Sequence, residues 1–318
     1  MERPDISKAS PISKDQSVEE AFIAIIRHNL NYVIAWEPLA LEGVDIEGVH
    51  QVRVGYRRMR STLSVFRRAL PREVTEALGQ EMRWAAGNLG AARDVDVFID
   101  EALDVMAGKV PLSHGEERLR HYAKAYQESS YEQVRETLES ERYRRFKAHL
   151  DAWLKERTWR KGIADEKKME RLDDAITPFA IKVLEKRMSR VMGDGEEIDR
   201  LSTEELHQLR IDCKKLRYAT EFFAPLFEEK GVSRFIKEMK QVQDLLGVLN
   251  DVAVLPGLLN DILRGVDDLS AQSYAGAALG WRAHEFESII GSLPERWGGF
   301  VAIPLPWDQP RKRSGKKQ

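Results

Sequence analysis

The chain has 318 residues, of which 42% are hydrophobic and 32% charged, with a formal net charge of −2 and a single cysteine. That is enough apolar material for a substantial core, while one cysteine excludes an internal disulfide and suits a reducing compartment. No run approaches the roughly 18 apolar residues of a membrane span, and the polar start with Pro4 and Pro11 is unlike a secretory leader, so the expected location is the cytoplasm.

In chain order, residues 1–16 are polar and expected to be disordered. Hydrophobic periodicity predicts a helix over 18–36 stopped by Pro38, and a second over 46–70 with Asp45 as N-cap and Pro71 as stop. A third follows over 72–89, then a fourth over 95–107 with Asp94 as its N-cap. The stretch 116–157 has neither glycine nor proline and reads as one bent helix, or two broken near Ser129 or Ser140. A charged segment around Gly162 separates the halves. Helices over 172–192, 203–228, 233–246 and 252–264 repeat the first four, with Ser202 and Glu205 as a capping box and Asp251 as an N-cap; one over 271–292 comes last. The tail 308–318 is basic and expected to be disordered. With no β-alternation of useful length, the fold class is all-α: two pseudo-symmetric four-helix bundles from an internal duplication, 17–160 and 165–307.

The duplication is visible because residues 50–97 lie over 207–254 at a constant offset of 157, without a gap. Each copy opens with the same ladder: His50, Arg53, Arg57 and Arg60 match His207, Arg210, Lys214 and Arg217. These spacings place four side chains within roughly 80° of arc on one helix face, opposite apolar positions such as Val52, Met59 and Leu63. An exposed cationic helix face is ordinarily a solvated surface. Here, however, the stretch 50–70 holds six arginines and no acid, so the usual i,i+4 partners are missing and a polyanion is the natural counterpart. In the second copy Glu221 falls on the stripe, suited to orienting Arg210, Lys214 or Arg217. Each ladder spans about 15 Å, enough to track several linked phosphates, and arginine forks suit phosphate oxygens.

The motifs HQVRVGYRRMRSTLSVF, LGAARDVDV, HQLRIDCKKLRYATEFF and LLGVLNDVAV resemble the CHAD family, the conserved-histidine α-helical domain, over about 17–307. The resemblance implies a non-catalytic module whose basic central surface binds inorganic polyphosphate. It makes the eight ladder residues the contacts, with Arg83, Lys240, Arg187 and Arg190 as weaker additions, and it suggests association with polyphosphate granules.

Other readings of the same residues stay in view. The histidines could be hydrogen-bonded interface residues; as ligand contacts they would bind as cations, with affinity rising from pH 8 towards 6. His28, His114, His121, His149 and His284 form no metal-ligand spacing, so neither a metal nor a cofactor is expected. Cys213 receives no role. A nucleic-acid backbone binder is the alternative function, since phosphate-tracking stripes would also hold DNA or RNA. A polyphosphate-processing enzyme using His50 or His207 comes third, lacking a visible metal site or nucleotide loop.

Overall fold

The computed structural model describes residues 2–163 and 166–308, and no strand occurs among them. Helix α1 (Val18–Glu42) pairs antiparallel with α2 (Glu47–Phe66), and glycine sets how close they come. A Cβ on Gly48 would lie 2.4 Å from the Ala40 backbone nitrogen, and one on Gly55 2.4 Å from the Val33 side chain. Pro38 does not end α1 as expected. It removes one backbone bond, while Leu39 and Ala40, both buried against α2, carry the helix to Gly43. Gly48→Ala is expected to destabilise the protein by about 1–3 kcal/mol or more, because backbone rather than a flexible side chain must move; urea melts measure this.

The rear of α2 is anchored by Val49, Val52, Tyr56, Met59 and Phe66, all fully buried. The Tyr56 hydroxyl donates to that of Tyr143 at 2.7 Å, and Tyr143 donates onward to Glu37. Ahead of α2, the Asp45 carboxylate accepts the Glu47 N–H at 3.0 Å and also binds Arg3, but the N-cap position falls on Ile46 rather than on Asp45 as expected. The helix ends at Phe66 rather than near 70, with Ala69 and Leu70 buried in the turn before Pro71.

Helix α3 (Arg72–Asn88) is as predicted, whereas α4 (Gly90–Phe98) starts at Gly90, so Asp94 lies inside it rather than capping it. A π-turn over Ile99–Leu103 leads to α5 (Asp104–Met106). Helices α6 (Ser113–Glu139) and α7 (Glu141–Glu156) break at Ser140, whose hydroxyl accepts the Tyr143 N–H at 3.1 Å.

The helix expected over 172–192 is two, α8 (Glu166–Asp173) and α9 (Ile176–Asp194), because the chain between them is drawn into an isolated bridge joining Ser17 to Ala175. Helix α10 (Thr203–Phe223) has the capping box of Ser202 and Glu205. The helices expected over 233–246 and 252–264 are one, α11 (Glu229–Ile262), bent by 40° between its parts, so Asp251 is not a cap either. Helices α12 (Leu269–Ile290) and α13 (Leu293–Val301) close the chain.

Apolar side chains gather into two cores, and each draws on both halves of the sequence. The larger runs from Ile12 and Phe22 to Phe300 and Trp307; the smaller joins Val95, Leu103 and Leu119 to Leu255, Leu259 and Tyr274. The segment before α1 has no helix, yet it is docked rather than disordered: Ser10 and Ile12 are buried, and the Lys8 carbonyl accepts from Arg58 Nη2 at 2.8 Å. A lone apolar residue such as Ile12 carries no periodic signal, which is why the sequence reads as free. Of the predicted basic tail only Asp308 lies within the described residues. Among these, no single helix is long and apolar enough to cross a membrane.

Candidate anion-binding site

Both ladders lie on long helices whose apolar sides are committed to the core, which fixes where their other sides point. His50, Arg53, Arg57 and Arg60 on α2, with Arg210, Lys214 and Arg217 on α10, are half-buried; His207, at the head of the second ladder, is exposed. The helices meet through equivalent residues, Phe66 and Phe223, whose ring centroids are 6.2 Å apart.

The two stripes lie within each other's fields. Burial pushes the Lys214 ammonium down to about 8, and the positive charges of Arg210, Arg57 and Arg217 push the same way against the pull of Asp251. Arg57 belongs to α2 and the others to α10. Arg210 is likewise lowered, by burial and by Arg57, with Asp251 opposing. The Nε atoms of Arg57 and Arg217 are buried without a hydrogen-bond partner among the described residues. Crowded, partly desolvated cations of this kind are costly in an empty protein and are relieved by an anion.

Three carboxylates lie among the cations, two acting through their fields and one, Glu221, by direct pairing. Asp94 lies in the field of Arg53 and Arg93, and also in that of its own equivalent, Asp251. Burial raises the Asp94 carboxyl despite those arginines. Glu221 accepts from Arg217 Nη1 at 3.0 Å, the orienting role expected of it, and unexpectedly also from Arg58 of α2. Asp94 and Asp251 are therefore electrostatic supports. Arg53 donates to the Ala86 carbonyl and passes Gly90 so closely that a Cβ there would lie 3.2 Å from its Nη1.

The structure brings Arg83 to the first ladder, where its charge lowers Arg60. Lys240, at the corresponding place on α11, is exposed, and among the described residues no bond ties it to Arg217. Arg187 and Arg190 bond residues beside the ladders rather than the ladder residues themselves. Arg187 donates to the Lys215 carbonyl and to Ser64 Oγ at 3.3 Å, while Arg190 binds Asp212 at 3.1 Å. Two cations that the sequence did not single out join the site: Arg93 and Lys8, whose charges both act on His50. Arg93 was hidden by its acidic neighbour, and Lys8 by its place in a segment without periodicity.

His50 behaves unlike the expected cation. Burial, then Arg93, with Arg57 and Lys8 adding to it, pushes its imidazole down to about 4 against the pull of Glu47, so it is neutral at physiological pH in the empty protein. A neutral imidazole keeps one N–H donor. Cys213 is buried with its thiol pushed up to about 12, consistent with no chemical role. Among the described residues, no three His, Cys, Asp or Glu side chains converge as metal ligands would.

The sequence model of the CHAD domain matches residues 24–260. The uncharacterized proteins MT2285 and Rv2226, from two strains of Mycobacterium tuberculosis, are each 27% identical over 233 residues. That is 72% of this chain but 43% of theirs, so the chain spans less than half the length of these relatives. The crystal structure of the CHAD domain from the plant Ricinus communis superposes with a TM-score of 0.81 at 26% identity, covering 95% of this chain and 98% of that one. PptA from Streptomyces chartreusis, at 13% identity, shares the fold with a TM-score of 0.65 over 89% of this chain and all of its own.

Proposed function

Because the chain belongs to the CHAD family, we propose that it is a non-catalytic module holding inorganic polyphosphate in the groove between α2 and α10. The observation that carries this is the gathering of Arg57 from α2 with Arg210, Lys214 and Arg217 from α10, where burial first and these like charges second push the Lys214 ammonium down to about 8. A single phosphate would meet only part of such a surface. A linked chain could lie along both ladders, from His50 to Arg60 and from His207 to Arg217, with Arg83 and Arg93 at its edges. Retention at polyphosphate granules in the cytoplasm would follow from that affinity.

The groove belongs to a larger proposal, that 17–160 and 165–307 are duplicated helical halves related by a pseudo-twofold axis. Three self-pairings support it: the Phe66 and Phe223 rings touch, the charges of Asp94 and Asp251 act on one another, and Ser17 bridges Ala175. Residues near a twofold axis meet their own equivalents.

The test is a competition titration of labelled long-chain polyphosphate against duplex DNA, RNA and ATP at several salt concentrations. Polyphosphate should win. Six or more phosphate contacts imply a log–log salt slope steeper than about −4, borrowing the counterion values of nucleic acids. A flat salt response, or DNA displacing polyphosphate at equal phosphate concentration, would replace this function with small-molecule or nucleic-acid binding.

A further inference from the structure

One turn beyond Arg60 along the same face of α2, a cavity of about 590 Å³ opens between the end of α2, α9 and α10. None of the eight ladder residues lines it. Its size falls within the roughly 300–1,000 Å³ of small-molecule sites. The walls carry Arg67 and Arg68 from the turn that follows α2, Lys182, Lys186 and Arg187 from α9, and Lys215 from α10. Acid is scarce and partly committed, for Asp212 already takes Lys215 at 2.9 Å and Arg190 at 3.1 Å. The floor is apolar, formed by Val65, Val183 and Phe179; one face of the Phe179 ring is stacked on Phe66 at 5.2 Å, and the residue remains partly exposed.

The opposite half of the molecule shows what this place becomes when it is filled. The Ser17–Ala175 bridge sets α1 and α9 in register at an offset of 158, so Lys186, Arg187 and Arg190 stand where α1 has His28, Asn29 and Tyr32. At the ladder offset of 157, Lys215 stands where α2 has Arg58. The N-terminal segment covers that first-half surface: the Ser7 backbone bonds His28, Lys8 Nζ lies 5.9 Å from the Tyr32 ring centroid, and the Lys8 carbonyl takes Arg58. The second-half surface has no such cover among the described residues, and it has exchanged a histidine, an amide and a tyrosine for a lysine and two arginines. The guanidinium of Arg187 is pushed down to about 10 by burial and by Arg67.

We propose that this cavity is a second ligand site, distinct from the polyphosphate groove, for a small phosphate ester with an apolar or aromatic body, the chemistry of a nucleoside polyphosphate. A bare phosphate chain would gain nothing from the Phe179 and Val183 floor. An uncharged apolar ligand would gain nothing from the cationic walls. Arg67, Arg68, Lys182 and Lys186 meet the phosphates, Arg187 holds the ester end, and the floor takes the apolar body.

The probes are ATP and inorganic tripolyphosphate, titrated against the intact chain, the charge-reversed variant Lys182→Glu/Lys186→Glu, and the groove variant Arg57→Ala/Lys214→Ala. Both lysines are exposed, so the reversed variant should melt as the wild type does. ATP should saturate the wild-type protein below millimolar concentration, and tripolyphosphate should displace it at least tenfold less well than unlabelled ATP. Lys182→Glu/Lys186→Glu should weaken ATP at least tenfold and long-chain polyphosphate by less than threefold, with the groove variant showing the reverse. No saturation by ATP, equal displacement by tripolyphosphate, or loss of ATP only in the groove variant would each overturn the second site. Equal loss of both ligands in the reversed variant would overturn it too, by making the cavity an extension of the groove. Failure of long-chain polyphosphate to bind at all would instead remove the groove's proposed function and leave the cavity to be judged on ATP alone.

Discussion

Replacing Arg57, Arg210 and Lys214 together by alanine is expected to lower affinity for long-chain polyphosphate by at least about 100-fold. Each charge-assisted hydrogen bond is worth about 1.5–3 kcal/mol, and about 1.4 kcal/mol is a factor of ten, so three lost contacts exceed two decades even when they are far from additive. The melting temperature of the empty variant should stay level or rise, because the substitutions remove like charges that act on one another. Arg58→Ala is the contrasting control. Arg58 is off the stripe and 3% exposed, donating to Asn29, to the Lys8 carbonyl and to Glu221. Its loss should cost about 3–5 kcal/mol of stability by stranding buried partners, with a much smaller effect on binding. A folded triple variant with wild-type affinity would remove the groove from the site.

The second large effect is a dependence on pH that resides in one lysine. In the empty protein Lys214 titrates at about 8, and a bound polyanion stabilises its charged form, so the complex titrates higher. Below pH 8 both states carry the proton and affinity is level with respect to this group. Above 8 the free protein loses the proton first, and affinity falls by up to tenfold per unit until the complex titrates as well. Lys214→Arg keeps the charge and should flatten the profile between pH 7.5 and 9.5. The folded-state shift is downward, so the empty protein itself should gain stability as pH rises from about 8 towards the ordinary lysine range of about 10.5. His50, pushed down to about 4, should add little above pH 6, and His50→Gln should leave the profile there unchanged. A wild-type slope surviving in Lys214→Arg would assign the titration to another group.

Much of this was legible because the informative features are periodic. The ladders, the core side of α2 and the capping box of Ser202 and Glu205 repeat at helical spacing, and all are found where that spacing places them. Boundaries went astray where tertiary packing overrode a local signal. Pro38 does not stop α1 because Leu39 and Ala40 are buried against α2. Asp94 and Asp251 have the look of caps, yet they lie inside helices and answer to Arg53, Arg93 and Arg210.

What the sequence could not reveal was the sign of crowding. Spacing shows that His50 shares a face with arginines, but only the fold shows that burial, with Arg93 and Lys8 closing on it from other elements, keeps it neutral. Arg187 and Arg190 likewise share the basic character of the ladder while sitting around a different cavity, since Ser64 and Asp212 draw them there. The docked stretch before α1 was invisible for the opposite reason: its hold on the fold depends on a few contacts, with Ile12 and the Lys8 carbonyl foremost.

Calorimetric titration of a defined medium-length polyphosphate into three proteins tests most directly whether α2 and α10 form one site. These are the wild type, Arg57→Ala/Arg60→Ala on α2, and Arg210→Ala/Lys214→Ala on α10. One shared groove predicts the same stoichiometry in all three, with affinity reduced by a similar factor whichever helix is altered. Two independent sites, each lost with its own helix while the other keeps its affinity and half the bound polyphosphate, would contradict the account.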